Sequence, residues 1–233
     1  MNSLKLSIII PCFNEAKTLN TIVKKVLDVK DFDKEIIIVD DCSTDQTREI
    51  ITDLEKKNKG IKKVFHESNK GKGAALKSGF EIMSGDIVII QDADLEYDPK
   101  DYKKLLDPFL KTDADVVYGS RFFGGDYVRL HFFWHYLANK ILTLITNIMT
   151  NLNMSDMETG YKVFKKSVIK SINLKENSFG IEPEITLKLA KKKFIFYEVP
   201  VSYRGRSYEE GKKIGLKDAF IAIYCIFKYR FFD

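Results

Sequence analysis

Two kinds of hydrophobic pattern alternate along the first half of the chain. Short, nearly unbroken runs of valine and isoleucine predict strands, whereas longer segments with apolar residues at helical spacing predict helices. The predicted strands are 5–11, 34–41, 62–66, 86–92 and 114–120, and the helices between them are 18–29, 43–58, 73–83 and 99–110. Ser43 and Gln46 have the spacing of a capping box at the start of the second helix, and Pro99 suits the first turn of the fourth.

This pattern predicts an α/β domain with a Rossmann-like, mostly parallel central sheet flanked by helices. Strands that are apolar on both faces are typical of parallel sheets covered by helices on each side. Ligands of such sheets bind beyond the carboxyl ends of the strands. Polar residues lie at or just after the ends of four of the predicted strands: Asn14 and Glu15, Asp40 and Asp41, Asp92 and Asp94, and Ser120 and Arg121.

The pattern changes after about residue 122. Residues 130–152 are aromatic and apolar and predict a buried or interfacial helix, and residues 158–172 predict a strand followed by a short helix. Residues 194–206 predict a strand with an exit loop, and residues 215–232 predict an amphipathic helix that ends in basic and aromatic residues. Because no repeat or linker interrupts the chain, we expect a single domain over residues 1–233.

Composition narrows the classes of function. The 233 residues carry a net charge of +5, from 38 Lys and Arg against 33 Asp and Glu. This mild excess suits phosphate-bearing ligands or an anionic membrane surface, and the scattered lysines match no nucleic-acid-binding motif. Cys12, Cys42 and Cys225 are an odd number without a C-x-x-C pair, which favours a reducing cytosol. The sequence predicts no signal peptide and no transmembrane helix.

Four carboxylates lie within the segment 89–99, IIQDADLEYDP, directly after a predicted strand. Carboxylates this close repel and raise each other's pKa, so a cation is expected among them. Mg²⁺ and Mn²⁺ prefer oxygen ligands and are usually held by one or two carboxylates together with substrate phosphates. Asp92 and Asp94, with Glu96 as a further ligand, therefore predict a metal and diphosphate site. A D-x-D pair alone is also common in solvated turns, which is the alternative interpretation.

With these motifs the chain resembles the family 2 glycosyltransferases of GT-A fold. The matching segments follow the family's order and cover nearly the whole chain: IIIPCFNE (8–15), IIVDDCSTDQT (37–47), NKGKGAALKSG (69–79), IIQDADLEYDP (89–99), VVYGSR (116–121) and DMETGYKVF (156–164). Within the family, QDADLE, GSR and TGYKVF are most similar to the polyprenyl-phosphate sugar transferases, such as dolichyl-phosphate mannose synthase.

The resemblance implies a nucleotide-sugar-binding half at about 1–121 and an acceptor-side half at about 122–233. The donor-site residues that it implies are Pro11, Phe13 and Glu15 at the nucleotide pocket, Asp40 and Asp41 at the base or ribose, Asp92, Ala93 and Asp94 at the sugar and metal, and Glu96 at the metal. It also implies that Arg121 and Arg129 bind phosphate groups, including the phosphate of the acceptor. Arg206 and Lys213, in the basic loop 203–213, would close over the donor diphosphate, although this loop departs from the family's usual spacing.

The implied activity is metal-dependent, inverting transfer of a hexose from a GDP-mannose or UDP-glucose type of donor to a polyprenyl or dolichyl phosphate. Asp94 and Arg121 would be the catalytic residues and Mg²⁺ or Mn²⁺ the cofactor. A phosphate acceptor is already an anion near neutral pH, whereas a hydroxyl acceptor needs a general base. We expect a cytoplasmic protein without a nucleic-acid partner, in peripheral contact with the cytosolic membrane face or bound to a separate membrane protein.

Alternatives stay open at this point. The acceptor could instead be a glycan or small-molecule hydroxyl, and the protein could be an inactive sugar-nucleotide-binding or membrane-surface protein. Single residues also have structural interpretations: a helix-initiating turn for Asp40 and Asp41, a helix N-terminus for Glu15, and a solvated or core position for His131 and His135. Glu182 and Glu184 fit a base for the acceptor and a helix N-terminus around Pro183 equally well.

Overall fold

The computed structural model of the protein describes residues 4–123, 132–206 and 216–233, without the side chains of residues 216 and 217. Its strands are β1 (Lys5–Cys12), β2 (Asp33–Asp40), β3 (Ile61–Phe65), β4 (Ile87–Ile90), β5 (Val116–Ser120), β6 (Lys162–Lys165) and β7 (Phe196–Pro200). Its helices are α1 (Leu19–Asp28), α2 (Thr47–Lys57), α3 (Lys72–Ile82), α4 (Tyr102–Lys111), α5 (Phe133–Thr150), α6 (Lys166–Lys170), α7 (Ile181–Lys191) and α8 (Leu216–Phe231), with a 3₁₀ turn at Pro99–Asp101.

The seven strands form one sheet in the order β3-β2-β1-β4-β6-β5-β7. Strand β6 runs antiparallel to both of its neighbours, β4 and β5, and every other pair is parallel. The predicted mostly parallel sheet flanked by helices is therefore confirmed. Because β6 is reversed, its beginning lies at the edge where the parallel strands end.

Helices cover both faces of the sheet, which explains why the strands are apolar at successive positions. Ile9 of β1 faces a buried layer that includes residues of α3, α5, α7 and α8. Its neighbours Ile8 and Ile10 face the opposite layer, built with α1, α2 and α4. Burial of each such side chain contributes about 1.5–3 kcal/mol, so a one-residue shift in register would be costly.

Two details differ from the sequence-based expectations. Helix α2 begins at Thr47 rather than Ser43, and its cap residue Gln46 makes no side-chain capping bond, so the predicted capping box is wrong. Ser43 Oγ instead accepts a hydrogen bond from the Asn14 amide, and Asp45 Oδ1 accepts one from the Thr47 amide. Strand β4 ends at Ile90, two residues earlier than expected, because the chain turns there into the acidic segment.

The long second-half helices lie side by side, since α5 and α8 contact each other and α7. Within the part of the chain that the structure describes, no helix combines the length and apolar character needed to cross a membrane.

Candidate active site

The acidic segment after β4 folds into a turn that separates its carboxylates. Leu95 adopts a left-handed backbone with φ of 63°, and Asp94 Oδ1 accepts a hydrogen bond from the Glu96 amide. Asp98 points elsewhere: it caps the 3₁₀ turn through the Lys100 amide and pairs with Lys25 at 3.0 Å. Asp98 is thus structural, and Asp92, Asp94 and Glu96 remain at the sheet edge.

Asp92 is held by a half-buried lysine that has no local signal in the sequence. Lys72, the first residue of α3, places its Nζ atom 2.9 Å from Asp92 Oδ1 and 3.3 Å from Glu182 Oε1. Burial opposes the charged form of Lys72, but Asp92 and Glu182 outweigh it and raise its pKa. Lys72 therefore holds the Asp92 side chain in place just after β4.

Asp94 and Glu96 share a second cation, Arg206. The guanidinium lies 2.7 Å from Asp94 Oδ2 through Nη2 and 3.2 Å from Glu96 Oε1 through Nε. Glu96 also accepts a hydrogen bond from the Tyr203 hydroxyl at 2.7 Å. Burial and the charges of Asp92 and Glu96 raise the pKa of Asp94 to about 7, against the opposing effect of Arg206. Arg206 thus compensates only part of the negative charge.

The three carboxylates do not converge on one point in this arrangement. Among residues 4–123, 132–206 and 216–233, no group of three or more His, Cys, Asp or Glu is placed to hold a metal ion. Glu96 faces Tyr203 and Arg206 instead. Asp92 and Asp94 are still oxygen donors of the type that Mg²⁺ and Mn²⁺ prefer, and two carboxylates with substrate phosphates form a usual ligand set. The site therefore fits a metal held by two protein carboxylates rather than three.

The two aspartates at the end of β2, Asp40 and Asp41, are buried and hydrogen-bonded within the protein. Asp40 accepts hydrogen bonds from Arg48 Nε at 2.7 Å and from the Ser43 amide. Asp41 accepts hydrogen bonds from the Gly71 and Lys70 amides and lies 2.7 Å from His66 Nδ1. Both carboxylates therefore organise the loops around the predicted nucleotide pocket, and their predicted contact with base or ribose stays a prediction.

The remaining donor-side residues differ in exposure. Phe13 is 37% exposed and Pro11 and Glu15 are partly exposed, so all three can line a pocket at the end of β1. Glu15 Oε2 accepts a hydrogen bond from Thr18 Oγ1 just before α1, which is consistent with an additional role at that helix start. Ala93 is 3% exposed and packs in the core, so its side chain offers no surface to a ligand.

Arg121 follows β5 and forms a rigid pair with Asp156. Its Nε and Nη2 atoms each lie 2.7 Å from an Asp156 oxygen, and its own amide donates to the same carboxylate. Asn139 of α5 also donates to Asp156. Burial opposes the charge of Arg121, but Asp156 raises its pKa, so the guanidinium is a fixed cation at the site. The predicted partners Arg129 and Lys213 lie outside the described residues, as does His131.

The loop before β6, residues 156–160, joins the two halves of the site. Asp156 holds Arg121 at one end, and at the other end Gly160 packs so closely on Asp92 that a Cβ atom would clash with Asp92 Oδ2. Lys162, fully buried, binds the Met157 and Thr159 carbonyls and lies 2.6 Å from Glu182 Oε2. This loop had a signal in the sequence, since it is the DMETG motif, but no residue of it was assigned a role.

Glu182 and Glu184, the two candidate bases, both pair with lysines inside the protein. Burial raises the pKa of Glu182, but Lys162 and Lys72 outweigh it and lower the pKa overall. Glu184 accepts hydrogen bonds from the Lys175 and Glu176 amides and pairs with Lys188 at 2.9 Å. Their position in the first turn of α7 agrees with the helix N-terminus expected there. These contacts favour the structural interpretation for Glu184 and make Glu182 a weak base.

Comparisons with known proteins identify the family and the fold. The family model for glycosyl transferase family 2 matches residues 7–172, which is more than half of the chain. A dolichol-phosphate mannosyltransferase of Pyrococcus furiosus is 30% identical over 218 residues, covering 91% of this chain and 61% of that protein. A low-salt glycan biosynthesis hexosyltransferase of Haloferax volcanii is 28% identical over 212 residues, covering 88% and 49%. The chain thus spans about half to three-fifths of these relatives.

Solved structures share the fold. Glucosyl-3-phosphoglycerate synthase from Mycobacterium tuberculosis, in complex with Mn²⁺, UDP and phosphoglyceric acid, superposes with a TM-score of 0.75 at 19% identity. That match covers 99% of this chain and 80% of the synthase. The same synthase with Mg²⁺ and UDP gives a TM-score of 0.72 at 19% identity, covering 97% and 79%. At this level of identity the likeness establishes a common fold.

Proposed function

The chain belongs to glycosyl transferase family 2 and has the GT-A fold, and from this premise we propose that it transfers a hexose from a nucleoside-diphosphate sugar to a polyprenyl phosphate. The donor would be of the GDP-mannose or UDP-glucose type. The reaction would be a single displacement that inverts the anomeric carbon and depends on Mg²⁺ or Mn²⁺. The dolichol-phosphate mannosyltransferase relative supports this choice of acceptor.

Donor binding would use the carboxyl ends of β1, β2 and β4. Asp92 and Asp94 would hold the metal, which, when bound, offsets the charge of the leaving diphosphate. The raised pKa of Asp94, about 7, supports this role, because a carboxyl group whose ionisation is disfavoured gains from a nearby cation. Arg206 would move from Asp94 and Glu96 to the diphosphate, whose oxygens suit its guanidinium equally well.

The proposal for the acceptor rests on side-chain contacts that connect Arg121 to an exposed aromatic surface. The Arg121 guanidinium lies 5.4 Å from the Phe122 ring, and this ring meets Tyr136 of α5 edge-on at 5.3 Å. Lys140, one turn further along α5, lies 4.8 Å from the same Phe122 ring. If the phosphate of a polyprenyl phosphate binds at Arg121, its apolar chain can therefore lie along α5.

The surface that begins there spans α5 and α8. Most of the exposed large hydrophobic side chains among the described residues lie on these two helices, including Phe133, Trp134 and Ile148 on α5 and Phe220, Tyr224 and Phe231 on α8. Soluble monomers rarely expose this much apolar area without a binding partner. Aromatic residues flanked by Lys140, Lys228 and Arg230 have the composition of helices that lie on an anionic bilayer. We propose that this aromatic face contacts the membrane that holds the lipid acceptor.

Turnover with a donor panel tests the proposal. Purified protein is mixed with each nucleoside-diphosphate hexose, Mn²⁺ or Mg²⁺ and a short polyprenyl phosphate, and nucleoside diphosphate release is measured with and without the lipid. We expect metal-dependent release that requires the lipid and occurs with one donor. Metal-dependent release that is equal with and without the lipid would indicate that the acceptor is a hydroxyl group or water. No release from any donor would contradict the proposed activity.

A vesicle assay tests the membrane contact separately. Replacing Phe133 and Trp134 by serine should reduce sedimentation with vesicles of anionic lipid. Replacing the exposed Leu110, on α4, by serine is the matched control and should change nothing. Equal sedimentation of both variants and the wild type would contradict a role for the aromatic face.

A further inference from the structure

Among the described residues, Glu158 differs from the other acidic groups around the site in having neither a hydrogen-bond donor nor an ion-pair partner at its carboxyl group. Its residue is partly exposed, yet its Oε1 atom is buried and has no hydrogen-bond partner among the described residues. Two other buried carboxylate atoms also lack a hydrogen bond, Glu35 Oε2 and Glu182 Oε2, but each has a lysine nitrogen within 3 Å. No described cation lies within ion-pair distance of Glu158. A buried polar atom without a partner calls for an explanation.

Glu158 lies between the two halves of the site. It is the middle residue of the loop whose ends are fixed by Arg121, through Asp156, and by Asp92, through Gly160. The carbonyls on both sides of it, from Met157 and Thr159, are bound to Lys162. The backbone therefore has little freedom to move the Glu158 side chain to another partner. In the proposed reaction, the donor at Asp92 and the acceptor at Arg121 would react beside this loop.

A charge count restricts what Glu158 can do there. The three cations around the loop are already matched by three carboxylates: Lys72 with Asp92, Lys162 with Glu182, and Arg121 with Asp156. An ionised Glu158 would leave this cluster with a net negative charge and would repel a phosphate. A neutral Glu158 leaves the cluster balanced and adds an O–H donor. A phosphate that binds beside Arg121 therefore favours the protonated carboxyl.

We propose that Glu158 binds the acceptor phosphate beside Arg121 as a neutral carboxylic acid that donates a hydrogen bond to a phosphate oxygen. This inference deepens the proposed function, on which its choice of a phosphate acceptor rests. In the reaction that follows, another phosphate oxygen attacks the anomeric carbon and the bond from that carbon to the donor phosphate breaks. The electron pair leaves with the nucleoside diphosphate, and the Glu158 proton stays where it is, so no proton transfer is required.

The electrostatics of the site agree with this assignment. Burial raises the pKa of Glu158 to about 7; Glu182 and Asp156 act in the same direction, and Lys162 and Arg121 oppose them. Among the described residues, Tyr118 also interacts electrostatically with Glu158, and its hydroxyl is hydrogen-bonded to that of Thr186. A bound phosphate would favour the neutral form further, because it adds negative charge. Glu182, with its lowered pKa, cannot supply a proton at neutral pH.

The direct test is the affinity of a short isoprenyl phosphate, measured by calorimetry from pH 6 to pH 8.5 without donor. Wild-type Kd should rise with pH above about 7, approaching tenfold per pH unit, because binding then requires uptake of one proton. Glu158→Gln keeps the size and an N–H donor but cannot ionise, so its Kd should stay low over this range. Glu158→Ala should bind weakly at every pH. The ratio of wild type to Glu158→Gln cancels the titration of the phosphate itself.

Controls separate this inference from the proposed activity. Glu49→Gln, an exposed change on α2, should retain the wild-type pH dependence. Binding of nucleoside diphosphate with Mn²⁺ should be equal in wild type and Glu158→Gln, which shows an intact fold and donor site. A wild-type Kd without pH dependence beyond that of Glu158→Gln, or no binding of the isoprenyl phosphate, overturns the inference. Loss of turnover in Glu158→Gln with unchanged phosphate affinity also overturns it, because Glu158 would then be a base.

In the donor panel, absence of turnover would instead count against the proposed activity. The two failures are distinguishable, since the binding experiment requires neither donor nor turnover. A change in donor affinity alone in Glu158→Gln would place the carboxyl at the sugar and would likewise overturn the assignment to the acceptor.

Discussion

The fold surrounds acidic side chains differently at the two ends of the strands of the same sheet. At the edge where β1 and β2 begin, Glu35 accepts hydrogen bonds from Ser7 Oγ at 2.6 Å and from the Ser84 and Gly85 amides, and it pairs with Lys62 at 2.8 Å. Burial alone would raise its pKa, but Lys62, Ser7 and Ser84 outweigh burial and lower the pKa to about 2.

At the edge where the strands end, Asp94 and Glu158 both have a pKa raised to about 7. Burial is the largest cause for both, as it is for Glu35, so burial does not distinguish the two edges. The difference is the number of partners that the fold provides. Where the fold supplies enough donors, a carboxylate stabilises the structure; where it supplies too few, the carboxyl group remains available to a ligand.

The largest effect should come from Asp94→Asn. Transfer should fall by at least about 10²–10³-fold, as when one group that stabilises transition-state charge is removed. Stability without metal should not fall at pH 8. Because the pKa of Asp94 is raised in the folded state, its ionisation as pH rises toward 7 and above destabilises the protein, and asparagine removes that penalty. Turnover and urea unfolding measure the two quantities.

Asp107→Asn, on the exposed side of α4, is the control for Asp94→Asn and should leave transfer unchanged. Retained turnover in a clean Asp94→Asn preparation would contradict the proposed metal role. It would also mean that the raised pKa of Asp94 does not mark a group that acts in transfer.

Arg121→Lys should follow in size. A lysine cannot make the bidentate contact with Asp156, so the cation moves relative to the acceptor, and a displacement of about 1 Å can cost about 10²-fold in rate. Acceptor-dependent release should show this loss, with the donor affinity unchanged. Arg48→Lys is a matched control, since Arg48 also pairs with a buried aspartate, Asp40, at 2.7 Å. Equal losses in both variants would mean that Arg121 acts through stability.

Glu35→Gln tests the end of the sheet where β1 and β2 begin, at which we expect the carboxylate to stabilise the fold. We expect a loss of about 1–3 kcal/mol in the free energy of unfolding at pH 7, because buried donors lose a charged acceptor. The pKa of Glu35 is lowered on folding, so its contribution is complete above about pH 4.5 and declines as pH falls toward 2. Urea unfolding at pH 7 and pH 3 should therefore show a smaller difference at the lower pH. Loss of transfer at unchanged stability would contradict the distinction between the edges.

Arg206→Gln should give the smallest effect. Removing the cation between Asp94 and Glu96 should tighten Mn²⁺ binding without nucleotide by about tenfold, which corresponds to about 1.4 kcal/mol. Calorimetry with Mn²⁺ alone measures this. Arg204→Gln, exposed two residues earlier, should leave the affinity unchanged. Weaker Mn²⁺ binding in Arg206→Gln would show that Arg206 does not compete with the metal.

The sheet and the convergence of the strand ends were predictable from the sequence. Valine and isoleucine runs identify strands buried on both faces, and parallel strands bring their following residues to one edge. This placed Asp92, Asp94 and Arg121 together at the site without knowledge of their distances. Strand limits were less predictable, because the segment after Ile90 leaves the sheet for the active-site turn.

The charge pairs could not be predicted from the sequence. Lys72 and Glu182 are more than a hundred residues apart, and one lysine among 38 basic residues has no local signal. Asp156 and Glu158 reach the site because β6 is antiparallel, and its Val-Phe core gives no indication of direction. The internal bonds of Asp41 with His66 and the 70–71 amides also depend on loops that only the fold brings together.

The place of β6 has a consequence for synthesis of the chain on the ribosome. Strands β4 and β5 are not neighbours; residues 162–165, made more than forty residues after β5, must insert between them. A nascent chain that ends near residue 121 therefore has an incomplete sheet, and Arg121 lacks Asp156. Contacts this distant in sequence form late, because loop closure costs entropy before it is repaid. Donor and acceptor groups would thus be assembled together, after both halves of the chain have been made.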